Sequence, residues 1–142
     1  MKFKNAALDD FDIAFRYIEQ LWSYNTYDRD SLFEVYKRVL DDPGSFAFFL
    51  LDEDEYKGFC HGAFFDTFWM SGPTCYVSSI ITNADERGKG FGIQLMDHTR
   101  ELAVSRNCKA LILDSGFPRE DAHRFYEKYG FEKSCYGFEL LL

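Results

Sequence analysis

Cys75-Tyr76-Val77-Ser78-Ser79-Ile80-Ile81-Thr82, then Asn83-Ala84-Asp85-Glu86, then Arg87-Gly88-Lys89-Gly90-Phe91-Gly92, is the stretch from which the fold can be read. Its first part is an apolar, β-branched run of strand character. A polar turn and a glycine-rich turn follow, and an amphipathic helix continues towards Cys108. A glycine-rich turn between a strand and a helix can cradle an anion. Its backbone N–H groups converge, the helix dipole adds positive potential, and glycine lets a phosphate approach where a Cβ would obstruct it. Arg87 and Lys89 supply charge that suits more than one phosphate. A plain structural turn would also fit these residues. Two common phosphate motifs do not: Lys89 is followed by Gly90 rather than Ser or Thr, and the glycines at 88, 90 and 92 lack the dinucleotide spacing.

Upstream of this stretch, Lys2 to Ala6 is β-favouring. Asp9 or Asp10 can cap a helix in which Phe11, Ala14, Phe15, Ile18, Leu21 and Trp22 hold helical spacing. Ser23 to Arg29 breaks that pattern. Ser31-x-x-Glu34 reads as a capping box for a second helix, which Pro43-Gly44 ends. Ser45 to Leu51, Tyr56 to Thr67 and the Cys75 run are joined by short polar turns, which predicts an antiparallel meander. Gly58 and Gly62 mark a bend or bulge in its middle strand.

Downstream, Phe91, Leu95, Met96, Leu102 and Ala103 predict a helix ending near Asn107, and Ala110 to Leu113 a short buried strand. Strand–helix–strand implies a parallel pair with a right-handed crossover. Pro118 opens a last helix with Ala122, Phe125, Tyr126 and Tyr129 on one face. Gly130 caps it, Phe131 folds back on it, and Cys135 to Leu142 reads as a terminal strand. The expected order is β-α-α-β-β-β-α-β-α-β: an α/β protein with a mixed, mostly antiparallel sheet, helices on both faces, and one domain over residues 1–142.

Arg87-x-x-Gly90-x-Gly92 resembles the acyl-CoA pyrophosphate loop of the GCN5-related N-acetyltransferase (GNAT) superfamily. Ala122-His123-Arg124-Phe125-Tyr126-Glu127-Lys128-Tyr129-Gly130-Phe131 is similar to that family's Ala-x-x-Phe/Leu-Tyr-x-x-x-Gly-Phe segment. The element order agrees, so the resemblance spans the chain. It implies an N-acetyltransferase that moves an acetyl group from acetyl-CoA, as cosubstrate, to a primary amine of a small molecule or protein. Backbone groups of Ile80, Ile81 and Thr82 would pair with the pantetheine arm, and Arg87, Gly88, Lys89, Gly90, Phe91 and Gly92 would hold the pyrophosphate. Tyr126 would be the general acid to the CoA sulfur. On spacing alone, Tyr126 is one more aromatic on a buried helical face. The chain departs from the family where Arg119 stands in place of a frequent Asn, so Arg119 takes over that CoA contact or the contact is absent.

No general base stands out among His61, Asp66, Asp114 and Glu34, and water can relay the proton. Tyr24, Tyr27, Asp66, Trp69 and Asp114 are candidates for the acceptor pocket, since aromatics beside acids suit an amine. They serve equally well as core or as a dimer contact. A noncatalytic acyl-CoA-binding module and an interaction protein are the competing classes.

The totals narrow the field. A formal charge of −8 argues against nonspecific binding to nucleic acid or to an anionic membrane. No apolar run approaches a membrane span, and no signal peptide is evident. Cys60, Cys75, Cys108 and Cys135 lack metal-ligand spacing and read as reduced thiols, so no metal is expected and the location predicted is cytoplasmic. A homodimer is compatible with every reading.

Overall fold

The computed structural model describes residues 1–142. Residues Met1–Ile112 make one compact unit and Leu113–Leu142 a second.

The first unit is built on a sheet of five strands in the spatial order β1-β2-β3-β4-β5. These are β1 (Lys2–Asn5), β2 (Ser45–Asp52), β3 (Glu55–Thr67), β4 (Gly72–Thr82) and β5 (Leu111–Ile112). Each of the first four is antiparallel to its neighbour, as the short connections from β2 to β4 require, and β5 runs parallel to β4 after its helical crossover. The mixed α/β architecture expected from the sequence is therefore present.

Two helices, α1 (Phe11–Leu21) and α2 (Arg29–Asp41), cover one face. Phe11, Ala14 and Tyr17 of α1 and Tyr36 of α2 pack with Phe49, Leu51, Phe59 and Ile81 of the sheet. The other face receives α3 (Phe91–Ser105). Thr99 sits 3.3 Å from the Cys60 thiol, and a Cβ on Gly58 would come within 2.8 Å of Leu95. Gly58 is thus fixed by helix-to-sheet contact. Burial on two faces explains the nearly unbroken apolar runs of β2 and β3.

Local chemistry moved several boundaries. The second helix starts two residues before Ser31, with Asp28 as its cap. The Asp28 carboxylate accepts from Ser31 N (3.0 Å) and Ser31 Oγ (2.6 Å), so Ser31 bonds back to Asp28 instead of forming a box with Glu34. Glu34 pairs with Lys37 on the surface. The fifth strand is held to two residues. His98 of α3 is half-buried, stacked 4.0 Å from Phe3 and edge-on to Phe48.

In the second unit, α4 (Glu120–Tyr129) begins two residues after Pro118. Gly130 ends it with φ of 127°, and its N–H and that of Phe131 both donate to the Tyr126 carbonyl (3.1 and 2.9 Å). The Phe131 ring lies 5.9 Å from both Tyr126 and Tyr129, as the Gly-Phe pair predicted. The expected terminal strand is a correction: residues 135–142 form none. A strand exists only through a ladder partner, and apolar residues alone do not supply one; here Phe138 and Leu140 to Leu142 are exposed.

Candidate functional site

The site is set by what happens along β4. Its N-terminal half is bonded on both sides: Cys75↔Leu111 and Tyr76↔Ile112 pair with β5, and Cys75 N donates to the Ala110 carbonyl at 3.0 Å. Beyond Tyr76 the two strands part, while pairing with β3 continues to Thr82. Val77 to Thr82 therefore offers one strand edge that the sheet does not use.

A bulge decides which groups lie on that edge. His61 pairs with Ser79 and Gly62 with Val77, so Ser78 is the extra residue in β4. An inserted residue reverses the alternation of backbone groups between the two edges. Before it, Cys75 N and the Pro73 carbonyl face β5. After it, Asn83 N donates to Lys57 O at 3.0 Å, which puts Ile81 in the ladder with β3 and turns Ile80 and Thr82 to the open edge. Of the three residues expected to present backbone groups, Ile80 and Thr82 do so and Ile81 does not. Its side chain is instead core.

The open edge leads into the glycine turn. After a short 3-10 turn (Ala84–Glu86), Gly88 has φ of 88° and Gly90 of 87°, backbone that L side chains rarely adopt. A Cβ built on either would meet nothing within 4 Å, so the space above them is open. Gly90 is also the helix cap and has no side chain to satisfy the first turn of α3. Gln94 N is the first to find an intrahelical carbonyl, Gly90 O at 3.2 Å. The N–H groups of Phe91, Gly92 and Ile93 are thus left to an outside acceptor. No acidic residue stands in that first turn, while Arg87 and Lys89 are exposed beside it. Phe91 is buried and anchors the helix start.

Around the turn lies a brace that the sequence did not disclose, formed by Tyr17, Lys57, Asn83 and Glu86. Lys57 Nζ reaches Glu86 at 3.0 Å and Glu55 at 3.0 Å. The Lys57 hydrogen bond, foremost, holds the Glu86 carboxyl below the usual carboxylate range. Tyr17 and Lys57 lie 66 and 26 positions from Asn83, Glu86 is local to it, and no spacing rule links them.

The remaining candidates are dispersed. Tyr24 is 80% exposed in the α1–α2 connection, and Tyr27 there accepts a 3.4 Å hydrogen bond from Asn25. Asp66 and Trp69 belong to the β3–β4 hairpin end, with Trp69 67% exposed. Ten steps of extended chain, about 33 Å, separate that end of β4 from the glycine turn. His61 faces Ser79 at the bulge, and burial lowers its pKa, so its imidazole is neutral at pH 7. Asp114 is exposed just past β5, with Gly137 backed against it, and Arg119 is the half-buried cap residue of α4. Burial pushes the Cys60 and Cys75 thiols up to about 12, so they are poor nucleophiles. No helix is long and apolar enough to cross a membrane.

The sequence matches the model of the acetyltransferase (GNAT) family over residues 8–131. It is 37% identical over 68 residues to YhdJ, an uncharacterized N-acetyltransferase of Bacillus subtilis strain 168. That match takes in 47% of this chain and 48% of YhdJ, so the chain matches about half the length of that relative. Among solved structures, a transcriptional regulator from Bacillus halodurans C-125 superposes with a TM-score of 0.89 at 22% identity, over 99% of each chain. An aminoglycoside N-acetyltransferase, AAC(6')-Iy, solved in complex with CoA, superposes with a TM-score of 0.84 at 14% identity, over 99% of this chain and 93% of its own.

Proposed function

The chain belongs to the acetyltransferase (GNAT) family, and we propose that it transfers an acetyl group from acetyl-CoA to a primary amine of a small molecule or protein, with residues 1–142 acting as one catalytic domain. The observation that carries this reading is the unused edge of β4 running directly into a positive-φ glycine turn and an uncapped helix start. A long ligand with amides at one end and phosphates at the other fits that sequence of features. CoA is such a ligand, and a neighbour of the same fold was solved with it.

In this reading Ile80 and Thr82 pair with the pantetheine amides as an added strand would. Gly88 to Ile93 give N–H groups to the pyrophosphate, with Arg87 and Lys89 adding charge. Arg119 stands where the family often has an Asn to CoA and takes that contact. An N–H of the open edge polarises the thioester carbonyl. The neutral amine attacks the carbonyl carbon, a C–N bond forms, and the C–S bond breaks. Tyr126 gives its phenolic proton to the departing thiolate, and solvent returns one to Tyr126 while taking one from the new ammonium. A phenol is a weak enough acid to keep its proton at neutral pH until a thiolate forms beside it, which suits this role.

The acceptor side draws on Tyr24, Tyr27, Asp66, Trp69 and Asp114, whose aromatic and acidic character suits a cation. Reduced thiols and a cytosolic cosubstrate favour a cytoplasmic location. A panel of polyamines, aminoglycosides and peptide N-termini, read by release of the CoA thiol, tests the activity. At least one amine should drive thiol release well above the rate without amine, and a flat panel contradicts the reading.

The likeness to a transcriptional regulator supports a second reading, a noncatalytic acyl-CoA-binding module. The two separate at Tyr126→Phe. The enzyme should lose turnover by about 100-fold or more while holding CoA nearly as before. Unchanged turnover removes Tyr126 as the acid, and absent turnover with intact CoA binding in the wild type favours the module.

A further inference from the structure

We propose that Tyr17 and Asn83 are positioning residues that set the glycine turn for phosphate, an inference that rests on the turn being the CoA pyrophosphate site. Neither residue lies in the turn, and neither belongs to the motif.

Every polar atom of Asn83 is committed. Tyr17 Oη donates to Asn83 Oδ1 at 2.7 Å. Asn83 Nδ2 donates to the Tyr56 carbonyl at 2.9 Å and to Glu86 Oε1 at 3.4 Å. The Asn83 N–H goes to Lys57 O at 3.0 Å, and its carbonyl accepts from Glu86 N at 3.1 Å. The backbone carbonyl of Tyr56 can only accept, which fixes the amide's orientation. One side chain thus joins α1, β3 and the first residues of the turn. The far end of the turn is pinned by buried Phe91. Between these anchors lie Arg87 to Gly90, four residues of which two are glycines in left-handed backbone.

Such a short, glycine-rich span has many backbone states when its ends are loose, and ordering it would cost binding free energy. With both ends fixed, much of that cost is already met on folding. Burial, and then the Glu86 charge, push the Tyr17 phenol up to about 12, so it remains a donor at neutral pH. Electrostatics point the same way. A carboxylate at Glu86 beside a phosphate site would repel the ligand, and Lys57 at 3.0 Å and Lys89 at 4.0 Å neutralise it.

The test is calorimetric titration of the full chain with CoA, alongside ligand-observed NMR with pantetheine, which has the amide arm and no phosphate. Tyr17→Phe, Asn83→Ala and Asn83→Asp are compared with wild type at matched thermal stability. Loss of one or two hydrogen bonds' worth of organisation should weaken CoA about three- to tenfold and leave pantetheine unchanged. Asn83→Asp should be weaker than Asn83→Ala, because it sets a second carboxylate against Glu86. The inference is overturned if folded variants bind CoA as wild type does, or lose CoA and pantetheine in equal proportion. Tyr17→Phe decides the matter if the Asn83 variants do not fold. Wild type that fails to bind CoA removes the proposed function, and this inference with it.

Discussion

Asp10 shows how one residue organises the entry to the first helix. It is only 4% exposed, yet it holds Lys4 Nζ at 2.6 Å, Ala7 N at 2.9 Å and Tyr56 Oη at 3.0 Å. Burial pushes its carboxyl pKa up, but those three hydrogen bonds outweigh burial and hold it below the ordinary Asp value. A depressed pKa contributes stability that is complete above the unfolded value, about 4, and is lost as pH falls through the folded value. Acid melts should therefore show a component that Asp10→Asn lacks, and that variant should lose roughly 1–2 kcal/mol at pH 7. Identical pH profiles for the two would contradict the assignment. At this scale the sequence was partly legible. Asp10, one of two candidate caps, does stand at the N-cap position of α1, but its carboxylate makes no cap bond there and accepts from Ala7 N instead; Asn83 gives no local signal because its partners come from α1 and β3. Tyr126 was legible only through the family segment, since nothing in its spacing separates an acid from a core aromatic.

Among elements, the turn from β4 to α3 is the clearest case of local sequence determining local structure. Gly88 and Gly90 occupy left-handed backbone, and open space surrounds both. Gly90→Ala should then cost strain alone, about 1–2 kcal/mol, and weaken CoA as the turn relaxes. An unchanged melting temperature together with unchanged CoA affinity would contradict that account. The bulge at Ser78 was not legible in this way. Gly58 and Gly62 point to an irregularity in the middle strand, and β3 has one against β2, where Lys57 is the extra residue beside Gly58; at Gly62 the extra residue lies in the neighbouring strand, and only the register reveals it. This is why Ile80, Ile81 and Thr82 were read together when the backbone separates Ile81 from the other two. The terminal strand failed for a related reason: residues 135–142 are largely apolar, but pairing is a property of two segments.

Over the whole molecule, composition limited the functional class and the order of elements gave the architecture, because each connection length permits few topologies. The acceptor stayed out of reach. Its candidate residues lie in the α1–α2 connection, the β3–β4 hairpin end and the segment after β5, and aromatics beside acids describe many amines equally well. The cosubstrate is better defined, and its binding makes a claim about individual backbone groups. The direct measurement is amide hydrogen exchange resolved by residue, with and without saturating acetyl-CoA. Exchange should slow at Ile80, Thr82 and Gly88 to Ile93, and should not change at Ile81, which β3 already protects. Saturable binding without protection at Ile80 and Thr82, or no binding at all, would contradict the account.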